Sequence, residues 1–172
     1  MINGGIFGPK LSGKTTLAIQ ISRKYFADAK IRSIVLDPYV DEWGEQAWVT
    51  ADEEIFWENV WKTQGSLIIV DEAAATIRRA RELIPVFTRL RHNHHRLLVI
   101  GHSGVDLLPT MRQQLDTLYL FRQSKKASEI WAETMTEPRL QEATELKQYE
   151  FIMLEMYREP KRMKLTLPKE SK

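Results

Sequence analysis

The chain has 172 residues, a formal net charge of +2, 43% hydrophobic residues and no cysteine. This length suits one domain with its own core, and the composition excludes a disordered chain, a disulfide framework and a thiolate metal site. The chain shows neither a signal peptide nor an apolar run near the ~20 residues of a membrane span, so we expect a cytoplasmic protein that does not itself span a membrane.

The first predicted elements surround a glycine-rich loop. A strand is predicted near residues 2–7, which end in the apolar pair Ile6-Phe7, and a helical pattern continues from the loop to about residue 26. Between them lies a match to the phosphate-binding pattern G-x-x-x-x-G-K-[ST]. Its residues are Gly8, Pro9, Lys10, Leu11, Ser12, Gly13, Lys14 and Thr15, and Thr16 follows. A strand, a loop and a helix in this order are the context that a P-loop requires.

The residue types of this loop suit a bound triphosphate. Glycine lets the backbone curl so that successive N–H groups point at phosphate oxygens, and the N-terminus of the following helix adds partial positive charge. Lys14 would reach the β- and γ-phosphates, and the Thr15 hydroxyl would ligate Mg²⁺. We therefore predict that residues 8–16 bind a nucleotide, with ATP and Mg²⁺ as the ligands.

The remaining elements alternate between strands and helices. Strands are predicted at 31–36, 48–50, 67–70, 97–100 and 117–121. A helix that begins after a cap at Thr50 or Asp52 is predicted to run to about residue 62. A second is predicted at 77–92, with a kink at Pro85. Three more are predicted at 109–115, 128–135 and 139–148. Residues 151–157 and 162–167 predict a hairpin that turns at Glu159-Pro160.

The pattern indicates an α/β fold. Strands that are apolar throughout and alternate with helices are typical of a mostly parallel central sheet with helices on both faces. The C-terminal hairpin would extend this sheet in the antiparallel sense. No internal repeat or linker-like segment interrupts the sequence, so we expect residues 1–172 to form one domain.

Two carboxylates follow the predicted strand at 67–70. Ligands of such sheets bind at the carboxyl ends of the strands, which places Asp71 and Glu72 beside the P-loop. Asp71 would hold Mg²⁺ together with Thr15, and Glu72 would polarise the water that attacks the γ-phosphate. A small-molecule kinase has no use for such a glutamate, so the pair indicates ATP hydrolysis.

The strand at 97–100 also ends in polar residues. A polar side chain at this point can hydrogen-bond the γ-phosphate or the attacking water and so report hydrolysis. His102 is the first candidate for this sensor, and Ser103 is the second.

The region after these motifs resembles the FtsK–HerA superfamily of DNA-pumping ATPases, which includes viral genome-packaging ATPases. The similarity lies in residues 87–92 (FTRLRH), 97–103 (LLVIGHS), 106–114 (DLLPTMRQQ) and 116–122 (DTLYLFR), and with the two nucleotide motifs it covers about residues 2–122. The superfamily usually has glutamine where His102 stands. The chain also lacks room for the accessory domains of the cellular members, so a small virus or mobile element is the better fit.

The resemblance implies a RecA-like P-loop NTPase of the ASCE type that moves double-stranded DNA into a viral capsid. It implies a homo-oligomeric ring, pentameric or hexameric, that meets portal or vertex proteins in the host cytoplasm or at the packaging vertex of the virion. It also implies that a neighbouring subunit supplies an arginine from the helix before the sensor strand, hence Arg89 or Arg91. The competing arginines are Arg78, Arg79, Arg81, Arg112 and Arg122.

Charged and aromatic clusters carry further expectations. The chain has an acidic middle, a basic stretch at 78–96 and a basic tail, which is consistent with nucleic-acid contact or a charged subunit interface. Lys125 and Lys126 are candidates for DNA phosphate contacts. Residues 92–95 predict a polar loop near DNA rather than a metal site. Among the tryptophans, Trp57 and Trp61 are expected in the core or an interface, and Trp43 and Trp48 in a subunit contact.

Three other functions stay open. A Zot-like ATPase that extrudes filamentous phage keeps the motor, but it usually needs a membrane anchor. A kinase or nucleotide switch is disfavoured by Asp71-Glu72 and by the lack of an evident lid. A scaffold would bind ATP without hydrolysing it.

Overall fold

The computed structural model describes residues 3–40, 42–72, 89–104 and 107–167. In chain order the described elements are β1 (Asn3–Phe7), α1 (Lys14–Ala29), β2 (Ser33–Leu36), β3 (Ala47–Thr50), α2 (Glu53–Lys62), β4 (Leu67–Val70), β5 (Arg96–Gly101), α3 (Pro109–Arg112), β6 (Thr117–Phe121), α4 (Lys125–Met135), a 3₁₀ helix (Pro138–Glu145), β7 (Glu150–Glu155) and β8 (Lys161–Lys164). Within these ranges, no helix is both long and apolar enough to cross a membrane.

The eight described strands form one sheet in the order β3-β2-β4-β5-β1-β6-β7-β8. The first six of these strands pair in parallel, whereas β7 pairs antiparallel with β6 and β8 antiparallel with β7. This arrangement confirms the predicted α/β fold with a mostly parallel sheet and a C-terminal hairpin. The carboxyl ends of β2, β4, β5 and β1 therefore meet at one edge of the sheet, which we call the carboxyl edge.

Apolar side chains fill both faces of the sheet because successive residues of a strand point to opposite sides. On one face, Ile68 and Val99 belong to a core that includes Phe56 of α2 and Trp131 of α4. On the other face, Ile69 and Leu98 share a core with Leu17 and Ala18 of α1. Helices thus cover both faces, as predicted.

Two helix starts are fixed by side-chain caps. The Asp52 carboxylate accepts a hydrogen bond from the N–H of Ile55 at 3.0 Å, so Asp52 rather than Thr50 caps α2. The Ser124 hydroxyl accepts one from the N–H of Ala127 at 3.3 Å and starts α4 three residues before the predicted 128.

Other predicted bounds were also wrong. Helix α1 continues to Ala29 and ends where Lys30 adopts a left-handed φ of 58°. Strand β2 begins at Ser33 because the two residues before it are exposed, and α3 ends at Arg112. The predicted helix at 139–148 is instead a 3₁₀ helix over Pro138–Glu145, and it buries Leu140 and Ala143. Of the predicted helix at 77–92, only 89–92 lie within the described residues, and they are helical.

The tryptophans correct another expectation. Trp43 is 1% exposed, and its indole N–H donates to Asp37 Oδ2 at 2.9 Å, so the residue belongs to the core rather than to a subunit contact. Trp48, Trp57 and Trp61 are partly buried and pack against the core that contains α2.

His95 is a buried histidine at the opposite, amino edge of the sheet. The N–H of Ser66 donates to its Nδ1 at 3.1 Å, so Nε2 carries the proton and donates to the carbonyl oxygen of Val60 at 3.1 Å. Burial lowers the pKa of His95, since it disfavours the charged imidazolium. His95 therefore joins α2, β4 and β5 as a neutral side chain, which corrects the expectation that residues 92–95 form a polar loop throughout.

We expect His95 to make the protein less stable as the pH falls below about 6.5. The unfolded chain takes up a proton near that pH, whereas the folded chain resists it, so the free energy of unfolding drops in this window and is fully present above it. Urea unfolding at several pH values, followed by tryptophan fluorescence, measures the change. His95→Gln should flatten this pH dependence, and His92→Gln, at an exposed histidine, serves as the control. An identical pH dependence in parent and His95→Gln would contradict the assignment.

Candidate active site

The P-loop leaves β1 at the carboxyl edge and enters α1 directly. Gly13 is the N-cap of α1 and has a φ of 101°, a region that is strained for residues with a side chain. A Cβ there would also lie 2.6 Å from Cδ2 of Leu165, and a Cβ at Gly8 would lie 2.5 Å from Cβ of Phe121. Gly13 therefore needs glycine for its backbone conformation, and Gly8 needs it because Phe121 approaches closely.

The C-terminal hairpin supports the outer side of this loop. Tyr149 and Leu165 lie against Gly13, and Nε2 of Gln148 donates to the carbonyl oxygen of Leu11 at 3.3 Å. Leu11 itself has a left-handed φ of 61° and a side chain that is 85% exposed. Sequence reasoning missed this support, because side chains that pack against glycine leave no recognisable pattern in the sequence.

Lys14 lies over the loop at the start of α1. Its Nζ donates to the carbonyl oxygen of Pro9 at 2.9 Å, and the residue is only 8% exposed. A buried ammonium group is costly unless strong acceptors surround it. Phosphate oxygens are stronger acceptors than a carbonyl oxygen, so this position suits the predicted contact with a nucleotide.

The fold brings the P-loop to the predicted magnesium ligand. The Thr15 hydroxyl donates to Oδ2 of Asp71 at 3.0 Å, across 56 residues of sequence. Strand β5 lies between β1 and β4, so this contact bridges the end of β5. The sequence placed Asp71 beside the P-loop because it follows the carboxyl end of a strand, and in the structure the two are in contact.

Asp71 suits a hard cation. Burial raises the pKa of Asp71, although the Glu72 N–H at 2.7 Å and the Thr15 hydroxyl oppose that change, and Asp37 and Glu72 add negative charge nearby. A carboxylate that is destabilised in this way gains from a positive charge beside it. Together with the Thr15 hydroxyl it offers the oxygen donors that Mg²⁺ prefers, so the residues present fit this ion.

Glu72 and His102 touch each other at the ends of β4 and β5. Nε2 of His102 lies 3.1 Å from Oε1 of Glu72, with the side chains 37% and 24% exposed. Glu72 has a left-handed φ of 50°. The structure thus brings together the residue predicted to polarise water and the residue predicted to act as sensor, a contact that the sequence did not indicate.

Asp37 is a further acidic residue of this edge that sequence reasoning did not place in the site. It follows β2, is 1% exposed and accepts hydrogen bonds from the Tyr39 N–H and the Trp43 indole. Its charge contributes to the raised pKa of Asp71. The sequence feature that could have placed Asp37 in the site is its position, followed by Pro38, directly after the predicted strand at 31–36.

Arg89 and Arg91 do not reach the P-loop of their own chain. Both are exposed and precede β5, whose six residues span roughly 20 Å between the amino and carboxyl edges. The Arg89 guanidinium lies 4.3 Å from the ring centre of Trp61, which stacks on Trp57 at 5.7 Å. Arg78, Arg79 and Arg81 lie outside the described residues.

A basic cavity of about 220 Å³ adjoins the P-loop on the β6 side. Lys10, Arg122 and Lys147 line it, and Lys125 and Lys126 are exposed a few residues after β6. The buried hydroxyl of Ser12, another lining residue, has no hydrogen-bond partner among the described residues. A larger cavity of about 400 Å³ lies at the amino edge, between α4 and the β7–β8 turn, far from these groups.

The fold is similar to the folds of several solved structures. The genome-packaging NTPase B204 of Sulfolobus turreted icosahedral virus 2, solved with AMPPCP, superposes with a TM-score of 0.78 at 20% identity, over 96% of this chain and 97% of that one. Its sulfate-bound form gives a TM-score of 0.80 over 96% of both chains. The chain has the fold of a viral genome-packaging NTPase. The predicted resemblance is thereby confirmed at the level of the fold.

A second structural relative is more distant. The N-terminal domain of the zonular occludens toxin of Neisseria meningitidis gives a TM-score of 0.50 at 16% identity, over 98% of this chain and 95% of that domain. No protein-family model and no curated protein sequence matches the chain.

Proposed function

We propose that the protein is an ATPase that uses hydrolysis to move double-stranded DNA into a viral capsid. The observation that carries this proposal is the placement of Glu72 beside the Thr15–Asp71 contact, in a fold shared with a packaging NTPase. In this proposal residues 1–172 act as one ATPase domain.

The residues of the carboxyl edge divide the work of hydrolysis. Backbone N–H groups of residues 8–16 hold the phosphates, and Lys14 neutralises charge on the β- and γ-phosphates. Thr15 and Asp71 would hold Mg²⁺, which when bound stabilises negative charge on the phosphate oxygens. Glu72 accepts the proton of the attacking water, and the His102 N–H lies where it can contact the γ-phosphate.

The exposed basic residues near β6 supply a surface for the DNA backbone. Lys10, Arg122 and Lys147 lie together, with Lys125 and Lys126 close by in sequence. A motor that accepts any sequence must hold DNA through its phosphates, and lysine and arginine are the side chains that do so.

The position of Arg89 and Arg91 limits the predicted arginine role to a site shared between subunits. Because neither reaches its own P-loop, either one can complete a γ-phosphate site only in a neighbouring subunit. We therefore place the protein in a homo-oligomeric ring, pentameric or hexameric, at the packaging vertex of a virion assembling in the host cytoplasm. The capsid partners would be portal or vertex proteins.

The likeness to the zonular occludens toxin domain favours a second candidate function. The Zot-like ATPase of filamentous-phage assembly that the sequence left open would use the same hydrolytic site for a different cargo.

Phosphate release from ATP, measured with and without double-stranded DNA, tests the proposal. We expect double-stranded DNA to accelerate hydrolysis. This acceleration should become smaller with added salt, because salt screens the contacts between the protein and the DNA phosphates. A rate of hydrolysis that is the same with and without DNA would favour the second candidate function. Transfer of phosphate to a small acceptor, or binding of ATP without turnover, would contradict the proposal.

A further inference from the structure

The contact between Glu72 and His102 joins two groups to which the proposed hydrolysis gives separate tasks. Nε2 of His102 lies 3.1 Å from Oε1 of Glu72. An ionised carboxylate only accepts hydrogen bonds, so Nε2 carries the proton in this pair. The contact thus engages both the donor that would face the γ-phosphate and an oxygen that would take the proton from water.

The position of His102 lets a γ-phosphate compete for this donor. His102 follows β5, the strand that separates β1 with its P-loop from β4 with Asp71 and Glu72. A γ-phosphate held by Lys14 near the Thr15–Asp71 contact would therefore lie at the end of β5 as well. The terminal phosphate of ADP lies one phosphate further back.

The backbone of Glu72 keeps its carboxylate at this point. The residue has a φ of 50°, which residues with a side chain adopt only at a cost in energy. Its N–H donates to Oδ1 of Asp71 at 2.7 Å, which anchors the residue next to the magnesium ligand. Glu72 is thus fixed at its backbone, and its side chain is directed by the contact with His102.

We propose that the Glu72–His102 pair is a latch that the γ-phosphate of ATP opens. The inference rests on the nucleotide site proposed above. In the absence of ATP, His102 holds Glu72, and when ATP binds, a γ-phosphate oxygen takes over the Nε2 hydrogen bond. Because one N–H serves one strong acceptor at a time, Glu72 becomes available to the attacking water only when a γ-phosphate is present. His102 is therefore a positioning residue for Glu72.

The latch has a thermodynamic consequence for binding. Glu72 and the γ-phosphate compete for one donor, so removal of the Glu72 acceptor should strengthen triphosphate binding, but only while His102 is present. Diphosphate binding should not change. Loss of the negative charge of Glu72 would also strengthen triphosphate binding, but independently of His102.

A double-mutant cycle separates these two effects. The dissociation constants of ATPγS and ADP, each with Mg²⁺, are measured by titration calorimetry for the parent, Glu72→Ala, His102→Ala and the double variant. Glu72→Gln is added because its amide oxygen still accepts a hydrogen bond from His102 while its charge is gone. His94→Ala, an exposed histidine at the amino edge, is the control for the loss of an imidazole.

We expect Glu72→Ala to raise the preference for ATPγS over ADP by about two- to fivefold, within the range found for partly exposed side-chain pairs that involve a charge. Glu72→Gln should raise it less, and Glu72→Ala should have no effect in the His102→Ala background. If Glu72→Ala raised this preference equally with and without His102, or if Glu72→Gln raised it as much as Glu72→Ala, the latch would be overturned. The hydrolysis proposal would not be affected by either result. Failure of the parent to bind either nucleotide would overturn both.

Discussion

Replacement of Glu72 by glutamine is expected to lower the turnover of ATP by about 10²- to 10⁴-fold while nucleotide binding persists. The amide occupies the same volume and can orient a water molecule, but it cannot take the proton from it. The Thr15–Asp71 contact, which does not involve the Glu72 side chain, should stay intact. Phosphate release under saturating ATP gives the turnover, and calorimetry with ATPγS gives the binding.

Glu58→Gln is the matched control for this substitution. Glu58 is an exposed glutamate that pairs with Lys62 on α2 at 2.6 Å, away from the carboxyl edge. The Glu58→Gln variant should hydrolyse ATP at the parent rate. A Glu72→Gln variant with near-parent turnover would show that another group activates the water.

Loss of the trans arginine should have an effect of similar size. We expect Arg89→Ala or Arg91→Ala to lower turnover by about 10³-fold, since such an arginine neutralises charge on the transferred phosphate. Neither arginine reaches its own P-loop, so the defect should be repairable by a neighbouring subunit. Mixing the defective arginine variant with Glu72→Gln should restore part of the activity, because some interfaces then combine an intact arginine with an intact glutamate.

Arg96→Ala is the control for this mixing experiment. Arg96 is exposed at the start of β5 and lies 5.3 Å from the ring centre of Tyr25, so it resembles Arg89 in stacking on an aromatic ring. The Arg96→Ala variant should turn over ATP at the parent rate. If neither Arg89→Ala nor Arg91→Ala is defective, or if a defective one shows no rescue, these residues do not complete the site in trans.

The sequence predicted the parts of the site that depend on where each strand ends. The P-loop follows the first strand and Asp71 the fourth, and parallel strands place their carboxyl ends at one edge, so the Thr15–Asp71 contact could be expected. Short apolar strands followed by polar residues, such as the one before His102, could be located to within a residue or two because an apolar run of this length is typical of a strand buried on both faces.

Other features depend on packing that no local pattern records. Whether His102 contacts a phosphate or Glu72 is decided by distances of a few ångströms between two strand ends. The acidic residues around Trp43 favour a subunit contact, whereas its buried hydrogen bond to Asp37 places it in the core. The predicted polar loop likewise contained His95, whose two buried hydrogen bonds come from residues 29 and 35 positions away.

The central claim is that hydrolysis at this edge drives movement along double-stranded DNA. Displacement of a triplex-forming strand from duplex DNA measures such movement directly. The parent should displace the strand with ATP but not with ATPγS, and Glu72→Gln should fail with either. DNA-stimulated hydrolysis without displacement, or displacement by Glu72→Gln at the parent rate, would contradict the claim.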